Sequence, residues 1–180
     1  MKHISLLFLF LCFSMYSKSN TTIVYIDISK KTNKEDIIKQ TKQIINKNSN
    51  DNFIVFISND NAPIIITNIE YLDKELKKLY YISPSSPSIN DETDTLNYYI
   101  DNIGLNVNAT TNMAFYFFTE PTNKTKRLIT KVLLSNRLSN NNGLKNNITV
   151  NVLFEKRKET NEIKKNYELY KQKKYEIKFY

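Results

Sequence analysis

Thr21-Thr22-Ile23-Val24-Tyr25-Ile26-Asp27-Ile28-Ser29-Lys30-Lys31 is the stretch on which the reading of this chain turns. Thr22–Ile28 is β-branched or aromatic up to a single acid. Such a nearly continuous apolar run predicts a strand buried on both faces, as in a parallel sheet. The run ends in a carboxylate, Asp27, with a hydroxyl, Ser29, two residues later. In an open α/β sheet, ligands bind outside the carboxyl ends of the central strands. Asp27 and Ser29 are therefore the first candidate site residues.

Downstream, helix and strand patterns alternate. Asn33-Lys34-Glu35-Asp36 has the cap and acidic residues of a helix start, and Ile37, Ile38, Thr41, Ile44 and Ile45 fall on one helical face. Phe53–Ile57 predicts a second buried strand. The short turn through Ser58–Asn61 leads to Pro63–Thr67, too close for a parallel crossover, so these two strands form an antiparallel hairpin. Asn68 caps a helix carrying Ile69, Leu72, Leu76 and Leu79, and Ser83–Ser88 breaks it. Asp91–Thr95 opens a short helix through Leu96, Tyr99 and Ile100. Met113–Phe118 is a further interior strand, followed by Thr119-Glu120-Pro121 and a helix with Leu128, Ile129, Val132, Leu133 and Leu138. Ile148–Phe154 alternates, a last helix spans roughly 160–170, and Tyr175, Ile177 and Phe179 suit an edge strand. This order predicts a three-layer α/β/α sandwich, its central sheet mostly parallel with one antiparallel edge strand.

Upstream, residues 1–19 read as an export signal: Lys2 and His3, the apolar run Ile4–Phe13, then small Ser14, Ser17 and Ser19. The run is short for a membrane span, which needs about 20 residues. Cleavage near Ser19 is expected, leaving 20–180 as one domain with no integral membrane segment. A lipoprotein anchored through Cys12 is the lesser alternative, because bulky Leu11 precedes that cysteine. Cleavage removes the only His, His3, and the only Cys. The mature chain then lacks a disulfide, a thiolate nucleophile, a His base and a zinc site of N/S type. Gly104 and Gly143 are the only glycines, and neither starts a phosphate-cradling loop.

The net charge is +8, and +6 once Lys2 and Lys18 leave with the leader. Much of the surplus lies in Lys156, Arg157, Lys158, Lys164 and Lys165, a basic surface suited to anionic lipid or polysaccharide. Glu155, Glu159, Glu162 and Glu168 interleave with it, which favours a solvated helix face. Nucleic acid is not an expected partner of an exported chain. The pairs Tyr80–Tyr81 and Tyr98–Tyr99 are expected to place one ring in the core and one at its rim.

This order of elements, with Asp27-Ile28-Ser29 at the end of the first strand, resembles a von Willebrand factor A-type domain over residues 21–180. The resemblance implies an open, Rossmann-like sheet and a metal-ion-dependent adhesion site for Mg²⁺. Its ligands here would be Asp27, Ser29, Thr93 and Glu120. A hard cation takes such oxygen donors. The match is degenerate. Lys31 stands where the second serine belongs, Asp91 and Glu92 replace the glycines before the threonine, and Glu120 lies a position or two from the final acid. The Lys31 ammonium would repel a divalent ion and substitute for it beside Asp27. The alternative reading of Asp27 and Ser29 is turn and helix-cap chemistry, and that of Thr93 is a helix N-cap.

The expectation is an exported, non-enzymatic protein–protein interaction or scaffolding module, periplasmic or at the cell surface, with no cofactor. Its contact edge lies near Asp27, Ser29, Thr93 and Glu120. Two classes compete with it. One is a hydrolase-like α/β enzyme using the Asp27 and Glu120 carboxylates, and the other a basic surface module.

Overall fold

The computed structural model describes residues 20–27, 33–48, 52–59, 62–82, 89–102, 112–120, 122–138, 147–154 and 176–179. The leader, Ser29, Lys31, residues 103–111 and 139–146 with Gly104 and Gly143, the basic residues 156–165 and the expected helix near 160–170 lie outside these.

Among the described residues, six strands and four α-helices follow in order: β1 (Asn20–Ile26), α1 (Lys34–Lys47), β2 (Asn52–Ile57), β3 (Ile64–Ile66), α2 (Ile69–Leu76), α3 (Ile89–Asn102), β4 (Asn112–Phe118), α4 (Asn123–Leu138), β5 (Asn147–Phe154) and β6 (Glu176–Phe179). The strands form one sheet in the order β3-β2-β1-β4-β5-β6. All neighbours are parallel except the β2–β3 hairpin. The mostly parallel sandwich with one antiparallel edge strand is what the sequence predicts. β1 lies between β2 and β4, so the chain leaves it first to one side and later to the other. The gap between β1 and β4 is the topological switch point.

Strand alternation divides the core between the two faces. Ile23, Tyr25, Ile54, Phe56, Phe115 and Phe117 pack with Leu96 of α3 and with Leu128, Ile129 and Val132 of α4. Val24, Ile26, Val55, Ile57 and Phe118 pack with Ile37 and Ile45 of α1 and with Leu72 and Leu76 of α2. Both faces of β1 are closed, which explains why its sequence lacks polar alternation.

Asn33 caps α1, its side chain accepting from the N–H groups of Glu35 and Asp36. Asn68 caps α2 by accepting from Glu70 N–H. Beyond Leu76 the helix tightens into a 3₁₀ turn, Lys77–Tyr81. Three residues per turn keep Leu76, Leu79 and Ile82 facing inward, all buried. Tyr80 and Tyr81 both lie outside, 46% and 88% exposed, which corrects the expectation of one core ring in that pair. Lys34 Nζ fastens the end of this turn to α1 by donating to the carbonyls of Tyr80 and Ile82.

Candidate functional site at the carboxyl edge of the sheet

Three backbone hydrogen bonds set the floor of the site. Asp27 N–H donates to Phe118 O at 2.8 Å, Ser58 N–H to Ile26 O at 2.9 Å, and Thr119 N–H to Leu153 O at 3.3 Å. Ile26 is in register with both Ile57 and Phe118. Asp27, Ser58 and Thr119 therefore follow three adjacent strands at one level. Alternation puts them on the sheet face covered by α3 and α4, with Tyr25, Phe56 and Phe117 one step below.

The Tyr25 ring stacks on Phe56, centroids 5.5 Å apart, and tilts against Phe117 at 5.7 Å. This packing fixes the direction of its hydroxyl, which donates to Glu92 Oε1 at 3.0 Å. Ser58 Oγ donates to the same oxygen. Glu92 lies one helical turn before Leu96, whose side chain is in the core below α3. The carboxylate is consequently turned to the sheet and only 6% exposed. A buried acid is tolerable only when hydrogen-bonded, and these two hydroxyls supply the bonds.

Burial pushes the Asp27 carboxyl up from 3.8 to about 6, helped by the negative charges of Glu92 and Glu120. The Lys124 ammonium and a hydrogen bond from Thr119 pull it the other way. Burial is also the main cause that raises the Tyr25 phenol well above its usual value, with Glu92 and Asp27 adding to it. At the start of α4, the Thr125 hydroxyl lies 3.0 Å from that of Thr119 and 2.9 Å from that of Thr122. Thr125 N–H donates to Thr122 Oγ1, so Thr122 caps this helix.

Of the residues singled out from the sequence, Asp27 and Glu120 come to the same edge and act on one another electrostatically. Thr93 is buried next to Glu92. It stands inside α3, which begins at Ile89, so its reading as a helix cap is corrected. Ser29 and Lys31 are outside the described residues. Glu92, Tyr25 and Ser58 form a buried hydrogen-bonded group in the site, and sequence reasoning missed them. The available signal was Glu92 itself, a charge four residues before Leu96 on the apolar side of a helix.

The donors here are all oxygen, as a hard cation would need. Yet among the described residues no three Asp, Glu, His or Cys groups converge closely enough to hold an ion. Glu92 Oε1 is already engaged by two hydroxyls. Of the ligands that the resemblance implies, Asp27 and Glu120 share this edge, and Ser29 lies outside the described residues.

An open sheet of this order, with a carboxylate at the end of its central strand, is a von Willebrand factor A-like α/β fold. The protein BatB of Bacteroides thetaiotaomicron, described as a conserved hypothetical protein, is similar in structure with a TM-score of 0.54. The two are 10% identical, and the likeness covers 90% of each chain. The VWA domain of SpRpn10 also matches, with a TM-score of 0.46, 10% identity, and coverage of 91% of this chain and 88% of that one. No protein-family model matches the sequence, and no curated protein matches it significantly.

Proposed function

We propose that this protein is a von Willebrand factor A-like protein-interaction module that holds its partner at the carboxyl edge of the sheet without a bridging metal ion. The observation that carries this reading is the electrostatic grouping of Asp27 with Glu92 and Glu120 at the β1–β4 switch point, where open α/β sheets bind ligands. Domains of this fold generally mediate protein interactions. In this reading the mature chain begins near Asn20 and acts outside the cytoplasm, as the leader-like composition of residues 1–19 suggests.

The test is binding of the mature chain to its partner, with Asp27→Ala and Thr93→Ala compared with a change at exposed Thr149 on β5. Loss at the first two positions alone, equal in Mg²⁺ and in chelator, is the expected result. Unaltered binding in both edge variants would refute it.

One observation favours a second reading, acid–base catalysis by Asp27. A carboxyl that titrates at about 6 suits a general base near neutral pH. Turnover of an ester or glycoside by the purified chain, lost in Asp27→Asn, would establish it.

A further inference from the structure

The two edges of the sheet are built differently. β3 is three residues long and follows Pro63, both of which discourage another strand from pairing there. β6 runs Glu176–Phe179 and, among the described residues, pairs only with β5. An edge strand presents every second N–H and C=O outward, as a template for a further strand.

The sequence of this edge is self-complementary. Tyr175-Glu176-Ile177-Lys178-Phe179 has opposite charges on either side of Ile177 and an aromatic residue at each end. We infer that β6 pairs antiparallel with β6 of a second copy about a two-fold axis through Ile177, joining the two sheets into one. In that register Glu176 of each copy lies opposite Lys178 of the other, and the two Ile177 residues face each other. Residues directly opposite in an antiparallel pair share a face and interact, attractively when their charges differ. Charges on an edge strand usually act as guards, but a guard of one sign repels its own copy. Here the signs alternate, so self-pairing is selected and other registers are not.

Residues 176 and 178 share one sheet face, because Glu176 is in register with Asn151 and Lys178 with Leu153. Lys178 Nζ donates to Asn151 Oδ1 at 2.9 Å, and Asn151 Nδ2 donates in turn to Phe115 O. This tether holds the ammonium near the strand. A two-fold contact of this kind is closed, so it yields a dimer and not a fibre. The inference is independent of the carboxyl-edge reading, which concerns the β1–β4 switch point and not the β6 edge.

The test is sedimentation equilibrium of the full chain over a wide concentration range. The wild type is expected to dimerise reversibly. Glu176→Lys alone, and Lys178→Glu alone, place like charges opposite each other twice per dimer and weaken association by about tenfold or more. Mixing the two variants restores opposite pairs, so a heterodimer forms where neither variant self-associates. A chain that had merely failed to fold would not be rescued by mixing. A wild type that stays monomeric at every concentration overturns the inference. So does a dimer that both single changes leave intact, or a mixture that shows no rescue.

Discussion

The Tyr25 hydroxyl donates to Glu92 Oε1 at 3.0 Å, tying the central strand to a helix 67 residues further along the chain. With Ser58 donating to the same oxygen, three elements meet at one buried atom. Tyr25→Phe keeps the ring and its stacking and removes only the donor. It is expected to cost about 1–3 kcal/mol of stability, because Glu92 is left under-satisfied. Ser58→Ala should cost a similar amount. The double variant should depart from additivity, since both groups serve one oxygen. Urea unfolding of the three variants measures this.

Asp27 gives the second prediction. Its folded-state value of about 6 lies above 3.8, so the native state holds a proton that the unfolded chain releases. The sign follows: this residue's contribution to stability falls as pH rises from about 4 through about 6, and a constant penalty remains above that. Asp27→Asn should flatten that part of the stability profile and raise stability above pH 6. Solvent access at this edge limits the gain to about 1–2 kcal/mol. Lys124→Ala, which removes the neighbouring positive charge, should move the Asp27 titration higher still. Carboxyl-detected NMR titration reads the shift directly.

Asn33 offers a test confined to one element. Its side chain accepts from two N–H groups at the start of α1, at 3.2 and 3.3 Å. Asn33→Ala is expected to cost about 1 kcal/mol. Partner binding at the carboxyl edge should be unchanged once the loss of stability is allowed for. A cap variant that abolished binding while remaining folded would place the contact surface at α1 instead.

The parts of this fold that local sequence encodes were legible. Thr22–Ile26, Phe53–Ile57 and Met113–Phe118 carry no polar break, so burial on both faces can be read from each run alone. The start of α3 was not so clear. Ser88, Asn90, Asp91 and Thr93 are all cap-type residues, and local chemistry does not choose among them. Packing decides, because Leu96 must reach the core and Glu92 then turns inward with it. An acid reads as a surface residue until its two hydroxyl donors are found, and these lie 67 and 34 positions away. The place of Asp27 was legible because the end of a strand marks it. The Tyr25–Glu92–Ser58 group was not, because only the tertiary fold brings it together. The tyrosine pair at 80–81 failed for a different reason. The switch from α-helical to 3₁₀ geometry moves the inward position to Leu79 and Ile82, and no residue type announces that change.

The last prediction concerns metal, where electrostatics and geometry oppose each other. The negative charges of Glu92 and Glu120 around Asp27 favour a cation. To bind one through Glu92 Oε1, however, the site must release the Tyr25 and Ser58 donors, each worth about 1–3 kcal/mol when a buried partner is left unpaired. It must also take the proton from Asp27 below pH 6, and no third acid stands close enough among the described residues to complete a set of ligands. Mg²⁺ needs near-ideal octahedral geometry and gives up its water reluctantly. The expected outcome is a melting temperature of the full chain that is the same in millimolar Mg²⁺ and in chelator, with no saturable Mn²⁺ heat by calorimetry. Glu92→Ala would free the site from its two hydroxyl bonds while removing one negative charge. Saturable binding in the wild type, abolished by Asp27→Ala, would show that the ion displaces those hydroxyls after all. The partner would then be held through the ion and not by the edge itself.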